Sequence, residues 1–323
     1  MFKIALIGIG GMGNVHFNAY RRMKNAEVIA VADVRVDMAK EKTAGTNAKI
    51  YASLDELLKN EKPDVVDICT PSYMHTEMAI KALNAGCHVL SEKPMSVSSA
   101  DTARVIETAK KVGKHFMTAH VVRFMAPYVY LANIIKSGEL GKPVHFDMTR
   151  ISAVPRWSWE DWMRDVKKSG GTPIDLSIHD LDFIYSVFGE PKAVNGIYQK
   201  LDEGNDYITS NLVYDGFSVT VMGGWYNADI PFNASYRAIF QNGYIDFAGG
   251  VLTKCGEVVD LGVKEESVSE TEINIPRADG YADEIEYFLD CIEKDIPNDK
   301  VTPESSEGIV KLIERILAST ISV

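Results

Sequence analysis

Apolar runs of strand length alternate with helical periodicities through the first 120 residues. Phe2–Ile7 reads as a strand, the stretch up to Met23 as a helix, and residues 28–32 as a second strand ending at Asp33. The alternation resumes with strands predicted at Val65–Ile68, 88–90 and 115–118, and helices at 74–84 and 100–111. Such alternation predicts an α/β fold with a doubly wound parallel sheet. Near residue 122 the pattern changes. After a helical stretch at 128–136, strands are predicted at 144–151, 193–199, 208–214, 218–223, 235–240 and 244–247. Turn signals such as Asp215-Gly216 and Asn242-Gly243 separate them, so they read as hairpins of a large, mostly antiparallel open sheet. Helical patterns at 282–293 and Pro303–Ala318 close the chain. The expected domains are 1–122 and 123–323, and a length of 323 residues agrees with two.

One helical run carries charge. Within the apolar stretch 174–188, Asp175, His179 and Asp182 stand at offsets of 4 and 7. At about 100° per residue these return to within roughly 40° of the start, so a single helix would place all three on one face. Burying charge costs several kcal/mol unless it is paired or used. The stripe therefore reads either as a proton-handling site or as an internal ion pair.

The N-terminal strand leads into Gly8-Ile9-Gly10-Gly11-Met12-Gly13. In this G-x-G-x-x-G spacing Gly8 permits a tight turn, Gly10 lets backbone approach a pyrophosphate, and Gly13 allows close packing. The phosphates sit on a helix N-terminus, where unpaired N–H groups and the dipole favour anions. Asp33, twenty residues past Gly13, is placed to accept hydrogen bonds from ribose hydroxyls. Its charge would oppose a 2′-phosphate and points to NAD; Arg35 leaves NADP use open.

Composition narrows the classes further. A net charge of −11 disfavours nucleic acid and anionic membranes as partners, and no apolar run approaches membrane-spanning length. The start, Met1-Phe2-Lys3, lacks the pattern of a secretory signal. Cys69, Cys87, Cys255 and Cys291 form no C-x-x-C pair and no zinc spacing. Reduced thiols, a cytoplasmic location and no metal site are the expectations. Several of the later strands carry large residues on both faces, so the free sheet face is expected to join copies of the chain as a dimer or tetramer.

Ligands of doubly wound sheets bind outside the carboxyl ends of strands. Two predicted strands end there in X-Pro turns, Thr70-Pro71 and Glu92-Lys93-Pro94. Both turns are expected to face the nicotinamide end of the cleft. Lys93 offers a cation that can hydrogen-bond a substrate oxygen.

With these residues in hand, the chain resembles the Gfo/Idh/MocA family of sugar and polyol oxidoreductases. The matching elements are the glycine turn with His16, then Asp33, Cys69-Thr70-Pro71 with His75, and Ala85–Pro94 with its Glu92-Lys93-Pro94. Arg123-Phe124, Pro127 and Tyr128 follow, then Ser169-Gly170-Gly171 leading to Asp175-x-x-x-His179-x-x-Asp182. The resemblance implies a Rossmann domain followed by an α/β domain with a large open sheet. It implies that Lys93, Asp175 and His179 line the substrate pocket and that Lys93-Pro94 is a cis peptide. The cofactor set becomes Gly8, Gly10, Gly11, Met12, Gly13, Asp33, Arg35, Thr70, Pro71, His75, Glu92 and Lys93. Ser72 and His120-Val121-Val122-Arg123 depart from the commoner family pattern and alter the pocket wall.

The expected chemistry is hydride transfer from a sugar or cyclic polyol CH–OH group to nicotinamide. His179, whose residue type titrates near neutrality, is the first choice of base. Asp175 would orient it, and Lys93 would stabilise the developing alkoxide. Exchange of roles between Lys93 and His179 stays open, and Asp182 reads as a supporting partner. Arg156, Trp159 and Trp162 in a predicted loop, with His120, Arg123 and Tyr128, are the expected substrate contacts, since aromatic faces and guanidinium forks suit sugars. Two other readings remain: a redox-neutral NAD-dependent glycosidase and a non-catalytic NAD-binding regulator.

Overall fold

The computed structural model describes residues 1–201, 204–262 and 280–322. It divides into two compact units, Met1–Val121 with Tyr281–Glu307, and Val122–Gly280 with Gly308–Val323.

The first unit is built from β1 (Phe2–Ile7), α1 (Gly11–Tyr20), β2 (Ala26–Ala32), α2 (Val36–Lys42), β3 (Lys49–Tyr51), α3 (Leu54–Asn60) and β4 (Val65–Ile68). It continues through α4 (His75–Asn84), β5 (His88–Glu92), α5 (Ser99–Val112) and β6 (Phe116–Ala119). The six strands are all parallel, in the order β3-β2-β1-β4-β5-β6. This is the doubly wound Rossmann arrangement, with its switch point between β1 and β4. The central strands are largely apolar on both faces, as helices on both sides require; Val65, Val66 and Ile68 of β4 are fully buried, and Asp67 between them is the buried exception. Local signals set the helix ends. Ser98 caps α5 by accepting from the Asp101 amide at 3.2 Å, and Gly113 ends it in the left-handed region.

The second unit opens with α6 (Ala126–Ser137) and the long strand β7 (Pro143–Ala153). Three helical pieces follow, α7 (Val166–Ser169), α8 (Gly171–Asp175) and α9 (Ile178–Phe188). Strands β8 (Ala193–Lys200), β9 (Asp206–Val213), β10 (Ser218–Tyr226), β11 (Asn233–Phe240), β12 (Gly243–Ala248), β13 (Val251–Lys254) and β14 (Glu257–Val258) come next. The helices α10 (Gly280–Glu293) and α11 (Pro303–Ala318) and the strand β15 (Thr320–Ser322) complete the described chain. Nine strands form one sheet, ordered β14-β13-β12-β11-β7-β10-β9-β8-β15. Its pairings are antiparallel except β7 with β10 and β8 with β15. Alternating burial along β9 and β10 shows one face packed and the other less covered. An aromatic layer fills the packed face, where Tyr128 meets Phe183, Tyr236 and Phe247 edge-on.

The single helix expected over 174–188 is interrupted. Leu176 and Ser177 separate α8 from α9, although both keep right-handed helical dihedrals. The interruption lies where the chain presses on the sheet: a Cβ on Gly223 of β10 would fall 2.0 Å from Ser177 Oγ. Asp175 and His179 therefore lie in two successive helical pieces joined through Leu176 and Ser177, not in one hydrogen-bonded helix.

Candidate functional site

In the first unit the glycine turn leaves β1 at the switch point. Gly8 has φ +83°, and a Cβ there would meet the Cys69 carbonyl oxygen at 2.6 Å. A Cβ on Gly13 would come within 1.9 Å of the Gly8 carbonyl oxygen. These two glycines close the turn on itself and against the end of β4. Gly10 and Gly11 are open instead: a Cβ would meet only Arg35 Nη2 at 3.5 Å in the first case and nothing within 4 Å in the second. Among the described residues no side chain caps the N-terminus of α1, so its amides are available to an anion.

Asp33 follows β2 and is buried. Its carboxylate accepts from the Ile9 amide at 3.0 Å, the Arg35 amide at 2.8 Å, and Arg35 Nε at 3.2 Å. Burial pushes its pKa up, but the bonds from Arg35 and the Ile9 amide outweigh burial and hold the carboxyl below its ordinary value. An ionised acceptor thus stands beside open glycines and an uncapped helix, a donor and acceptor set that fits a nicotinamide dinucleotide. Lys42, which the sequence reading passed over, donates to the Ile9 and Gly10 carbonyls at 3.0 and 3.2 Å. It sits at the end of α2, and a lysine in that position carries no local signal.

The two X-Pro turns are tied together. His75 lies between the Pro94 and Thr70 carbonyl oxygens, each 2.8 Å from a ring nitrogen. Burial lowers its pKa more than those carbonyls raise it. His75 is 1 % exposed, so it holds the strand ends rather than presenting a group to solvent. Glu92 accepts from the Lys93 amide at 3.0 Å, and Lys93-Pro94 is cis.

In the second unit, the Gly170-Gly171 turn delivers α8. Asp206 of β9 accepts from the Thr172 amide at 3.1 Å, from the Thr172 hydroxyl, and from the Tyr198 hydroxyl at 3.0 Å. A Cβ on Gly171 would fall 2.6 Å from Asp206 Oδ2, so only glycine lets the helix start this close to that carboxylate. Asp175 ends α8 and is buried, and His179 in the first turn of α9 is partly exposed. Asp182 is buried in a two-pronged pair with Arg123, Nε at 2.8 Å and Nη2 at 2.6 Å. Asp180, absent from the expected stripe, lies deeper, paired with Arg150 at 2.8 and 2.9 Å.

These pairs revise the substrate contacts. The Arg123 fork is spent on Asp182. Tyr128 is 1 % exposed, and its hydroxyl is shared between Asp180 at 3.1 Å and Arg150 at 3.0 Å. Both residues hold the core of the second unit in place. His120 is buried in the first unit. Arg156 is exposed and donates to Asn227 at 3.0 Å, Trp159 is half-buried, and Trp162 packs beside Val154, Met163, Leu176 and Trp225.

A family model described as "Oxidoreductase family, NAD-binding Rossmann fold" matches residues 2–120, and one described as "GFO/IDH/MocA C-terminal domain" matches 128–245. The chain belongs to the Gfo/Idh/MocA family. Among relatives, myo-inositol 2-dehydrogenase of Thermotoga maritima is 31% identical over 58% of this chain and 55% of its own length. D-glucoside 3-dehydrogenase of Escherichia coli is 33% identical over 62% of this chain and 58% of its own length. The matched stretch thus spans little more than half of these relatives. The crystal structure of myo-inositol 2-dehydrogenase from Lactobacillus plantarum shares the fold, with a TM-score of 0.81 at 21% identity over 98% of this chain and 96% of that one.

The Gfo/Idh/MocA first unit also holds a buried polar cluster that sequence reading missed. His16, Asp67 and Glu284 are each 0 % exposed. Burial pushes the Glu284 carboxyl well above its ordinary value, further than the nearby His16 pulls it down. A raised acid pKa stabilises the fold fully below the unfolded value of 4.5, and that contribution fades as pH rises through the folded value. Glu284→Gln is therefore expected to gain stability relative to the parent progressively as pH rises above 4.5. Urea titrations at pH 4.5, 6 and 8 check it, and a constant difference would refute it.

Proposed function

We propose that this chain is an NAD-dependent dehydrogenase acting on a CH–OH group of a sugar or cyclic polyol. The observation that carries the reading is the ionised Asp33 carboxylate beside the open glycines and uncapped start of α1. The relatives named inositol 2-dehydrogenase and glucoside 3-dehydrogenase support the substrate class.

Gly10, Gly11, the α1 amides and Asp33 would hold the dinucleotide, with Thr70, Pro71 and Glu92-Lys93 at the nicotinamide end. Bound nicotinamide supplies the hydride acceptor. His179 takes the hydroxyl proton, Asp175 orients its ring, and Lys93 donates a hydrogen bond to the oxygen as negative charge develops there. Arg156, Trp159 and Trp162 are the proposed carbohydrate contacts. Val144, Ile197, Val213, Val251 and Ile321 are exposed on strands of the large sheet, and this supports a homo-oligomer. Among the described residues no helix is long and apolar enough to cross a membrane.

The direct test is NADH formation by purified protein with a panel of polyols, aldoses and sugar acids, repeated with NADP. Turnover on one group identifies the substrate class; silence across the panel with NAD bound overturns the reading. For the cofactor, Asp33→Asn removes the charge that opposes a 2′-phosphate and leaves Arg35 beside it. The ratio of NADP to NAD affinity is expected to rise by about tenfold, equivalent to ~1.4 kcal/mol. Calorimetry with both cofactors measures it, and an unchanged ratio would show that Asp33 does not select between them.

A further inference from the structure

The buried cluster is arranged as a line. Asp67 of β4 accepts from the Tyr20 hydroxyl at 2.9 Å and from Cys69 Sγ at 3.5 Å. His16 Nδ1 lies 2.8 Å from Asp67 Oδ2, and its Nε2 lies 3.3 Å from Glu92 Oε1, a close charge contact without hydrogen-bond geometry. The second oxygen of Glu92 accepts from the Lys93 amide. Glu284 of α10 stands nearby, with neither oxygen hydrogen-bonded among the described residues. Burial lowers the His16 pKa, but the Asp67 charge and the adjoining groups outweigh it and keep the ring protonated. The imidazolium in turn overcomes burial at Glu92 and keeps that carboxyl ionised.

This arrangement is expensive if its only role is to fill space. Buried ion pairs are commonly matched or bettered by apolar side chains of the same volume. What apolar packing would not supply is direction: a charged acceptor aimed at one backbone amide. The cluster draws on α1, β4, β5 and α10, and its line ends at the amide of the residue proposed to polarise the substrate oxygen. The helix that carries His16 is also the one whose N-terminus follows the open glycines.

We propose that His16 is a positioning residue for Lys93: its imidazolium, braced by Asp67, holds Glu92 so that the carboxylate fixes the Lys93 backbone at the end of β5. The role in turnover rests on the dehydrogenase reading; the mechanical link does not. Charge-assisted hydrogen bonds are roughly twice as strong as neutral ones, so loss of the clamp loosens this one amide before the rest of the sheet.

Hydrogen exchange at the Lys93 amide, resolved by NMR, reads the link without substrate or cofactor. In His16→Leu the exchange rate is expected to rise at least tenfold while amides of β1 and β6 keep their rates. An unchanged Lys93 rate, or a rise matched by every amide of the unit, overturns the proposal. Glu92→Gln serves where His16→Leu does not fold. It keeps an oxygen for the amide but removes the charge, and the expected rise is about fivefold with His16 ring shifts moving toward the neutral form; no change in either overturns the link. Where the parent turns over a polyol, His16→Leu is further expected to lower kcat at least tenfold with KM for NAD within twofold. Loss confined to NAD affinity overturns the positioning role. If the parent shows no turnover on any substrate, the dehydrogenase reading fails and the exchange rates alone decide the link.

Discussion

His179→Ala is expected to lower turnover by about 10²–10⁴-fold, the usual contribution of a positioned general base, while NAD binds within twofold of the parent. Lys93→Ala is expected to lose a similar factor, because a donor aimed at developing oxyanion charge acts mainly in the transition state. On the proposed mechanism the two losses should not add, because groups that serve one proton and one oxygen act as a unit, and the double variant is expected to fall little below the worse single one. Steady-state NADH formation with the best substrate measures kcat, and calorimetry measures NAD affinity. Near-normal turnover in either variant would remove that residue from the chemistry. A pH profile decides the choice of base. If Lys93 rather than His179 takes the proton, His179→Ala keeps the parent's alkaline-going rise in rate at a lower ceiling.

The second large effect concerns stability. Arg150 is 2 % exposed and Asp180 is fully buried, and the guanidinium meets the carboxylate through Nε and Nη2. Tyr128 completes the triangle, and burial, with the Asp180 charge, pushes its hydroxyl pKa far up. Removing one partner leaves an uncompensated buried charge, which costs about 3–5 kcal/mol. Asp180→Ala is therefore expected to destabilise the second unit by that amount, read from urea unfolding. The double variant Arg150→Met, Asp180→Leu is expected to recover most of the loss, since nothing charged is then left buried. A double variant as unstable as Asp180→Ala would mean that the pair supplies net stability in its own right.

Much of the architecture is readable along the chain, and the exceptions have physical reasons. The strand Val65–Ile68 and the helix Pro303–Ala318 match their apolar patterns end to end. The glycine turn and Asp33 are close in sequence and meet through one βαβ unit. The elements that escape are short or exposed. β3 has three residues and none is buried, and both residues of β14 are exposed, so neither presents an apolar run. α3 did carry a signal, Ser53 followed by Glu56, with Ser53 accepting from the Glu56 amide at 3.2 Å. The break before α9 depends on Gly223, which lies in a strand some fifty residues later, and no local pattern announces it. The buried pairs are harder still. Arg150 lies 30 residues from Asp180, and His16 lies 51 residues from Asp67. Their chemistry is set by which strands the topology makes neighbours, and single-residue periodicity does not carry that information.

The first unit takes its last segment from Tyr281–Glu307, and Glu284 in that segment closes the buried polar cluster. Synthesis runs from the N-terminus at about 5–20 residues per second. The six-stranded sheet therefore has all its strands by Ala119 but waits for more than 160 further residues before α10, which brings Glu284 to the cluster, leaves the ribosome. At those rates the wait is on the order of 10–30 seconds. During it the buried cluster around His16 and Asp67 lacks Glu284. The chain's order of manufacture thus differs from its order of completion: the unit begun first is finished late. A ribosome-bound nascent chain halted at residue 262 is correspondingly expected to be more open to protease within residues 1–121 than the released full chain.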